Sequence, residues 1–157
     1  RAQITYTRGD TSAALQLYRD VTVNFKNNEY ADQSRYRIAM YLRAKGLADS
    51  ARSEFSTLAA REDNPLLAAE AAYRIGELWL KEKNYPNALA AFKLVSEKFS
   101  GVEDWYTLSM IGLGESYEQT ADIEAARDIY KTIVKLRPTD DFGKTAQSRL
   151  KRLPKAP

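Results

Sequence analysis

Residues 73–92 read YRIGELWLKEKNYPNALAAF. Tyr73, Ile75, Leu78, Trp79 and Leu80 fall within eight residues, the apolar run breaks at Asn84-Tyr85-Pro86, and it resumes with Ala88 and Phe92. Apolar residues at three- and four-residue intervals on both sides of a break predict two amphipathic helices joined by a tight turn. The closing signature, a small residue four positions before an aromatic one, occurs at Ala14/Tyr18, Ala51/Phe55, Ala88/Phe92 and Ala126/Tyr130. The steps between copies are 37, 37 and 38 residues. A fixed period of this length is the mark of a repeat architecture, which decides the fold before any single residue does.

Other positions keep the same register. An apolar residue follows each aromatic by three (Val21, Leu58, Val95, Ile133), and three units close with Phe25, Phe99 or Arg137-Pro138. Upstream stand Ile38-Ala39, Ile75-Gly76 and Leu113-Gly114, followed by Leu42, Trp79 and Tyr117. Small residues where helices cross let a neighbouring aromatic sit close, and a bulky one would overpack the site. Five residues before each small residue is a turn position, Gly9, Gly46, Lys83 or Ala121; glycine best tolerates the left-handed conformation there. Asp10, Asp49 and Asp122 are the expected helix N-caps, and Pro65 and Pro86 suit a first helical turn. Helices are predicted near 1–8, 11–25, 30–45, 48–61, 66–83, 86–99, 103–120, 123–136 and 142–153. They form units at about 1–25, 30–61, 66–99 and 103–138 plus a closing helix, 142–153, within one solenoid domain. Because Arg1 falls inside the first helix of a unit, the array is expected to continue upstream as part of a longer chain.

Composition narrows the function classes. Apolar content of 44% with 29% charged residues over 157 positions fits a globular core, and 7 Gly and 5 Pro are too few for an all-β chain with many tight turns. With no cysteine and no histidine, thiolate nucleophiles, zinc-thiolate sites and imidazole bases are ruled out. No phosphate-cradling glycine loop or nucleophile elbow is present. The sequence therefore implies no enzyme, no metal and no cofactor. Interspersed charges, 24 basic against 21 acidic, give no footprint for a nucleic-acid partner, and no window is apolar enough for direct membrane insertion.

The pattern Ile75-Gly76-x-x-Trp79, Tyr85, Ala88-x-x-x-Phe92 resembles a tetratricopeptide repeat, and Leu113-Gly114-x-x-Tyr117 with Ala126-x-x-x-Tyr130 and Pro138 resembles it more closely. The resemblance runs from Ala2 to Leu153. It implies an all-α fold, a right-handed superhelix of antiparallel helix pairs with a capping helix. The period exceeds the usual 34 residues, the extra residues falling in FKNNEYADQSRYRIA and FSGVEDWYTLSMIGLG. Such linkers, with the closing TAQSRLKRL, are similar to those of bacterial cell-envelope members. Those are the periplasmic coordinator of the Tol-Pal system and the lipoprotein of the β-barrel assembly machinery. The expected location is the periplasmic side of the bacterial envelope, with the cytoplasm as the alternative.

The family geometry implies a partner-binding groove lined by first helices. It would collect Gln33, Tyr36, Met40 and Arg43; then Glu70, Tyr73, Glu77 and Lys81; then Leu108, Ile111, Glu115, Glu118 and Gln119. Tyrosines suit peptide recognition, and the carboxylates favour a protein or peptide partner with basic character. Plainer roles stand beside these: Tyr36 and Tyr73 as packing residues, and Glu115 with Glu118 as a solvated helix face. Trp79, Phe92, Tyr117 and Tyr130 recur in register and are assigned to packing. Trp105 does not recur and is placed in a linker, wedged or exposed. The lysines and arginines from Lys144 to Lys155 read as a polar cap. Members that clamp a chaperone's C-terminal carboxylate line the groove with lysine, arginine and asparagine; the departure here argues against that role. Two further readings are self-association into a homo-oligomer through terminal helices, and an enzymatic or carbohydrate-binding use of the carboxylates.

Overall fold

A computed structural model of the chain describes residues 11–25 and 28–154. Eight helices make up its regular structure: α1 Thr11–Asn24, α2 Glu29–Ala44, α3 Ala48–Ala59, α4 Pro65–Lys81, α5 Tyr85–Lys98, α6 Glu103–Gln119, α7 Ile123–Leu136 and α8 Asp141–Arg152. No strand occurs among the described residues. The all-α expectation holds, and the helix limits agree with the sequence reading to within about two residues. The helix expected at 1–8, the turn at Gly9 and the cap at Asp10 lie outside the described residues.

Asparagine and aspartate start five helices. Side chains of Asn28, Asn64, Asn84, Asp122 and Asp140 accept from the backbone N–H groups of Ala31, Leu67, Asn87, Ala125 and Gly143, each satisfying one of the donors a helix start leaves open. Asp49 is not a cap. Leu47 holds that place with no side-chain bond, and Asp49, in the first turn of α3, meets Arg52 instead. Nor is Asn84-Tyr85-Pro86 the turn, because Asn84 caps α5 and the next two residues already belong to it.

The turns fall at the positions expected five residues before each small residue. Gly46, Lys83 and Ala121 have φ of 75°, 60° and 60°, and all three sites carry the same pair of hydrogen bonds. At Lys83 the backbone N–H groups of Lys83 and Asn84 donate to the carbonyls of Leu80 and Trp79. This closure reverses the chain while satisfying the last helical carbonyls.

The chain divides into two compact units, residues 1–61 and 62–157. In the first, α2 packs against both α1 and α3, with Ala14, Tyr18 and Ile38 in one buried cluster and Ala51, Phe55 and Leu58 also fully buried. In the second, consecutive helices pair from α4 to α8, and α6 also touches both α4 and α8. Its core contains Ala88, Phe92, Met110, Leu113, Ala126, Tyr130, Ile133 and Ala146. A Cβ added at Gly76 or at Gly112 would fall inside 3 Å of the Phe92 ring, and one at Gly114 would do the same to Tyr130. Phe92 therefore fills a slot floored by glycines of α4 and α6. Trp79 and Tyr117 are half-buried against the same core, as packing residues should be.

Candidate functional site

The first-helix residues in the second unit come from α4 and α6, with one contribution from α8 that spacing along the sequence does not show. On α4, Glu70, Tyr73 and Glu77 are half-buried and Lys81 is exposed. Arg74 lies between the two carboxylates, donating to Glu77 at 2.8 Å and to Glu70 at 3.2 Å. The Tyr73 hydroxyl donates to Glu77 at 3.2 Å. Its ring is 5.8 Å from that of Phe92 and 5.4 Å from that of Trp105, and the Arg74 guanidinium lies over both Tyr73 and Trp105. Of the two positions expected for Trp105 the wedged one holds: it is the third residue of α6, not a linker residue, and packs that helix onto α4. Burial first, then the Glu77 carboxylate, push the Tyr73 phenol well above its ordinary range. Burial opposes the Arg74 charge, but the bonds and charges of Glu77 and Glu70 more than offset it and hold the guanidinium above its usual value.

On α6, Leu108 and Ile111 are half-buried, Ile111 packing onto the core. Glu115 and Glu118 are not a solvated pair. Arg149 of α8 reaches both, at 3.1 Å and 3.5 Å, and the Tyr130 hydroxyl donates to Glu118. Burial chiefly, then that bond, raise the Tyr130 phenol. Gln119 is exposed and accepts from the Tyr85 hydroxyl at 3.3 Å. The four carboxylates that the sequence reading took as favouring a basic partner are thus paired within the unit, Glu70 and Glu77 with Arg74 and Glu115 and Glu118 with Arg149.

In the first unit, α2 carries the equivalent residues. Gln33 is exposed and donates to Glu29 at 2.9 Å, while Tyr36, Met40 and Arg43 are half-buried. The Tyr36 ring meets Phe55 edge-on at 6.2 Å. Neighbouring ion pairs, Arg35 with Glu54 at 2.6 Å and Arg61 with Asp32 at 3.0 Å, tie α2 to α3 and to the residues after it. Both tyrosines therefore pack against core aromatics and remain partly at the surface. Among the described residues, no cluster of acidic groups is arranged to hold a metal ion, and no helix is long and apolar enough to cross a membrane.

What was missed in sequence were the partners. Arg74 could have been found from its spacing to Glu70 and Glu77 on a single helix turn. Arg149 could not, since nothing local ties it to α6.

A helix-pair array with glycine-floored aromatic slots defines the class. Residues 36–101 and 109–140 each match a family model described as tetratricopeptide repeat. Together the two matches span more than half of the 157 residues, and the chain belongs to that family. Two solved structures are similar over nearly all of it. One is MamA, residue 41 to the end, from Desulfovibrio magneticus RS-1, 22% identical over 96% of this chain and 91% of that one, with a TM-score of 0.66. The other, a MamA RS-1 ArsTM double mutant, is 22% identical over 96% and 86%, with a TM-score of 0.67. At this identity the likeness shows the fold. No curated protein matches in sequence.

Proposed function

We propose that this chain is a non-catalytic scaffold that holds a protein or peptide partner on the exposed surface of its first helices, within an assembly of the bacterial cell envelope on its periplasmic side. The observation that carries the reading is the half-buried Tyr73, packed on Phe92 and Trp105 while its surroundings supply both charge signs. A ring already immobilised by its neighbours binds with little further loss of conformational freedom. Tyr36 repeats the arrangement in the first unit. The envelope assignment rests on the lengthened connections between repeats. Basic character in the partner is supported by the four carboxylates of the second unit's surface, which share two guanidiniums.

Affinity capture from a native bacterial extract, identified by mass spectrometry, tests the reading. Tyr36→Ala and Tyr73→Ala should each reduce capture of the partner while circular dichroism shows the helices retained. Undiminished capture by both variants overturns it. Self-association is the second reading, favoured by Val23, Phe25 and Tyr30, which are 64%, 55% and 71% exposed around the α1–α2 connection. Light scattering that reports a monomer over a wide concentration range would exclude it.

A further inference from the structure

The surface of the second unit neutralises its carboxylates in two ways. Glu70 and Glu77 share Arg74, which stands on the same helix and is stacked on Tyr73 and Trp105. That cation cannot depart while α4 remains a helix. Glu115 and Glu118 share Arg149, which arrives from α8. Within its length α8 fully buries only Gly143 and Ala146, with Leu150 half-buried on the core and Leu153 just beyond; Lys144, Thr145, Gln147, Ser148, Lys151 and Arg152 are exposed. So little apolar burial leaves the Arg149 bridge as a substantial part of what joins α8 to α6.

Resting on the partner-surface reading above, we infer that Arg149 is an internal occupant of a cation site made by Glu115 and Glu118, and that a lysine or arginine side chain of the partner polypeptide replaces it, loosening α8. The exchange keeps both carboxylates paired, so it avoids the penalty of a partly buried charge left alone. Tyr130 continues to donate to Glu118 in either state and keeps that carboxylate in place. The entering cation displaces the Arg149 contacts of α8, and a helix at the end of the second unit with few buried apolar side chains gives way readily. An acidic segment would gain no such exchange at this site, because Arg149 is already shared by two carboxylates.

The test uses a Gly/Ser decapeptide carrying two lysines, titrated into ¹⁵N-labelled protein, with the same peptide carrying two glutamates as control. Arg149→Gln should tighten the lysine peptide about tenfold over wild type. Lys151→Gln makes the same charge change on the exposed face of α8 and should leave affinity within about twofold. Adding Glu115→Gln and Glu118→Gln to Arg149→Gln should remove the gain, the amides keeping the shape and the Tyr130 acceptor. In wild type, saturating peptide should hasten amide exchange across 141–152. Equal gains from Arg149→Gln and Lys151→Gln, absence of binding in all variants, or unaltered exchange in α8 at saturation each overturn the inference. Partner capture indifferent to Tyr36 and Tyr73 would sink the scaffold reading alone, since the peptide titration reads only the Arg149 site.

Discussion

Glu77 and Glu115 occupy the same place in consecutive repeats, one residue after Gly76 and Gly114, yet the interfaces around them are built differently. The α4–α6 contact is aromatic: Tyr73, Phe92 and Trp105 interlock across it, and the cation serving Glu77 stays on its own helix. The α6–α8 contact is polar, with the cation serving Glu115 borrowed from the neighbouring helix. A repeat thus fixes where a carboxylate stands without fixing what answers it. Burial of aromatic area resists salt and small chemical changes, whereas a bridge a quarter to a third exposed is screened and exchangeable.

That contrast can be broken in graded steps. Phe92→Ala should hurt most, because the ring is shared by α4, α5 and α6: a loss of about 3–5 kcal/mol by urea unfolding followed by circular dichroism. Gly112→Ala tests the slot itself. Its new Cβ would stand 2.5 Å from the Phe92 ring, and the loss should be about 1–3 kcal/mol, while Gly101→Ala, with nothing within 4 Å, should leave the same measurement unmoved by overpacking. Arg149→Gln should cost on the order of 1 kcal/mol or less, shrinking in high salt and confined by hydrogen exchange to α8. A salt-insensitive loss spread through α4 would mean that the two interfaces are alike after all.

Alkaline pH probes one phenol at each interface. Tyr73 and Tyr130 are both held above the ordinary value of 10.0, foremost by burial. A folded-state value above the unfolded one means the native state holds the proton more tightly. The stability this contributes is complete below pH 10 and is lost as pH climbs past it. In an ultraviolet titration these two should ionise last, together with unfolding, and Tyr73→Phe and Tyr130→Phe should each remove one late ionisation. The smallest effect is expected at the turns. Lys83→Gly and Ala121→Gly, at φ of 60°, should each change stability by less than about 1 kcal/mol, relief of the left-handed backbone being offset by a freer unfolded chain.

These interfaces also mark where sequence reasoning succeeds and stops. The alanine-to-aromatic spacing located the helix pairs that the described residues contain, because burial at a fixed period leaves a trace on each copy. Ala51, Ala88 and Ala126 are fully buried, as are Phe55 and Tyr130, with Phe92 nearly so. Asp49 misled because an acidic residue favours a first turn as well as the cap before it. Trp105 was left undecided between wedged and exposed because a residue without counterparts carries no periodic signal, and its meaning is the Tyr73 ring on another helix. Gly112 went unnoticed for a related reason: it answers the aromatic of the preceding unit. The candidate surface was legible as a set of residues but not as an electrostatic object, since Arg149 reaches Glu115 from 34 positions away.

The Phe92 slot has a consequence for how such an array could be cut and rejoined. One wall of the slot, Gly76, lies in the unit that owns the ring, and the other, Gly112, lies in the next. A module boundary drawn between α5 and α6 would part the ring from half of its seat. Tyr130 answers to Gly114 and carries a hydroxyl bonded to Glu118, so the aromatic of one unit is not a drop-in copy of the other. Duplicating or deleting a repeat here keeps the fold only if the joint supplies the glycine that the incoming ring requires.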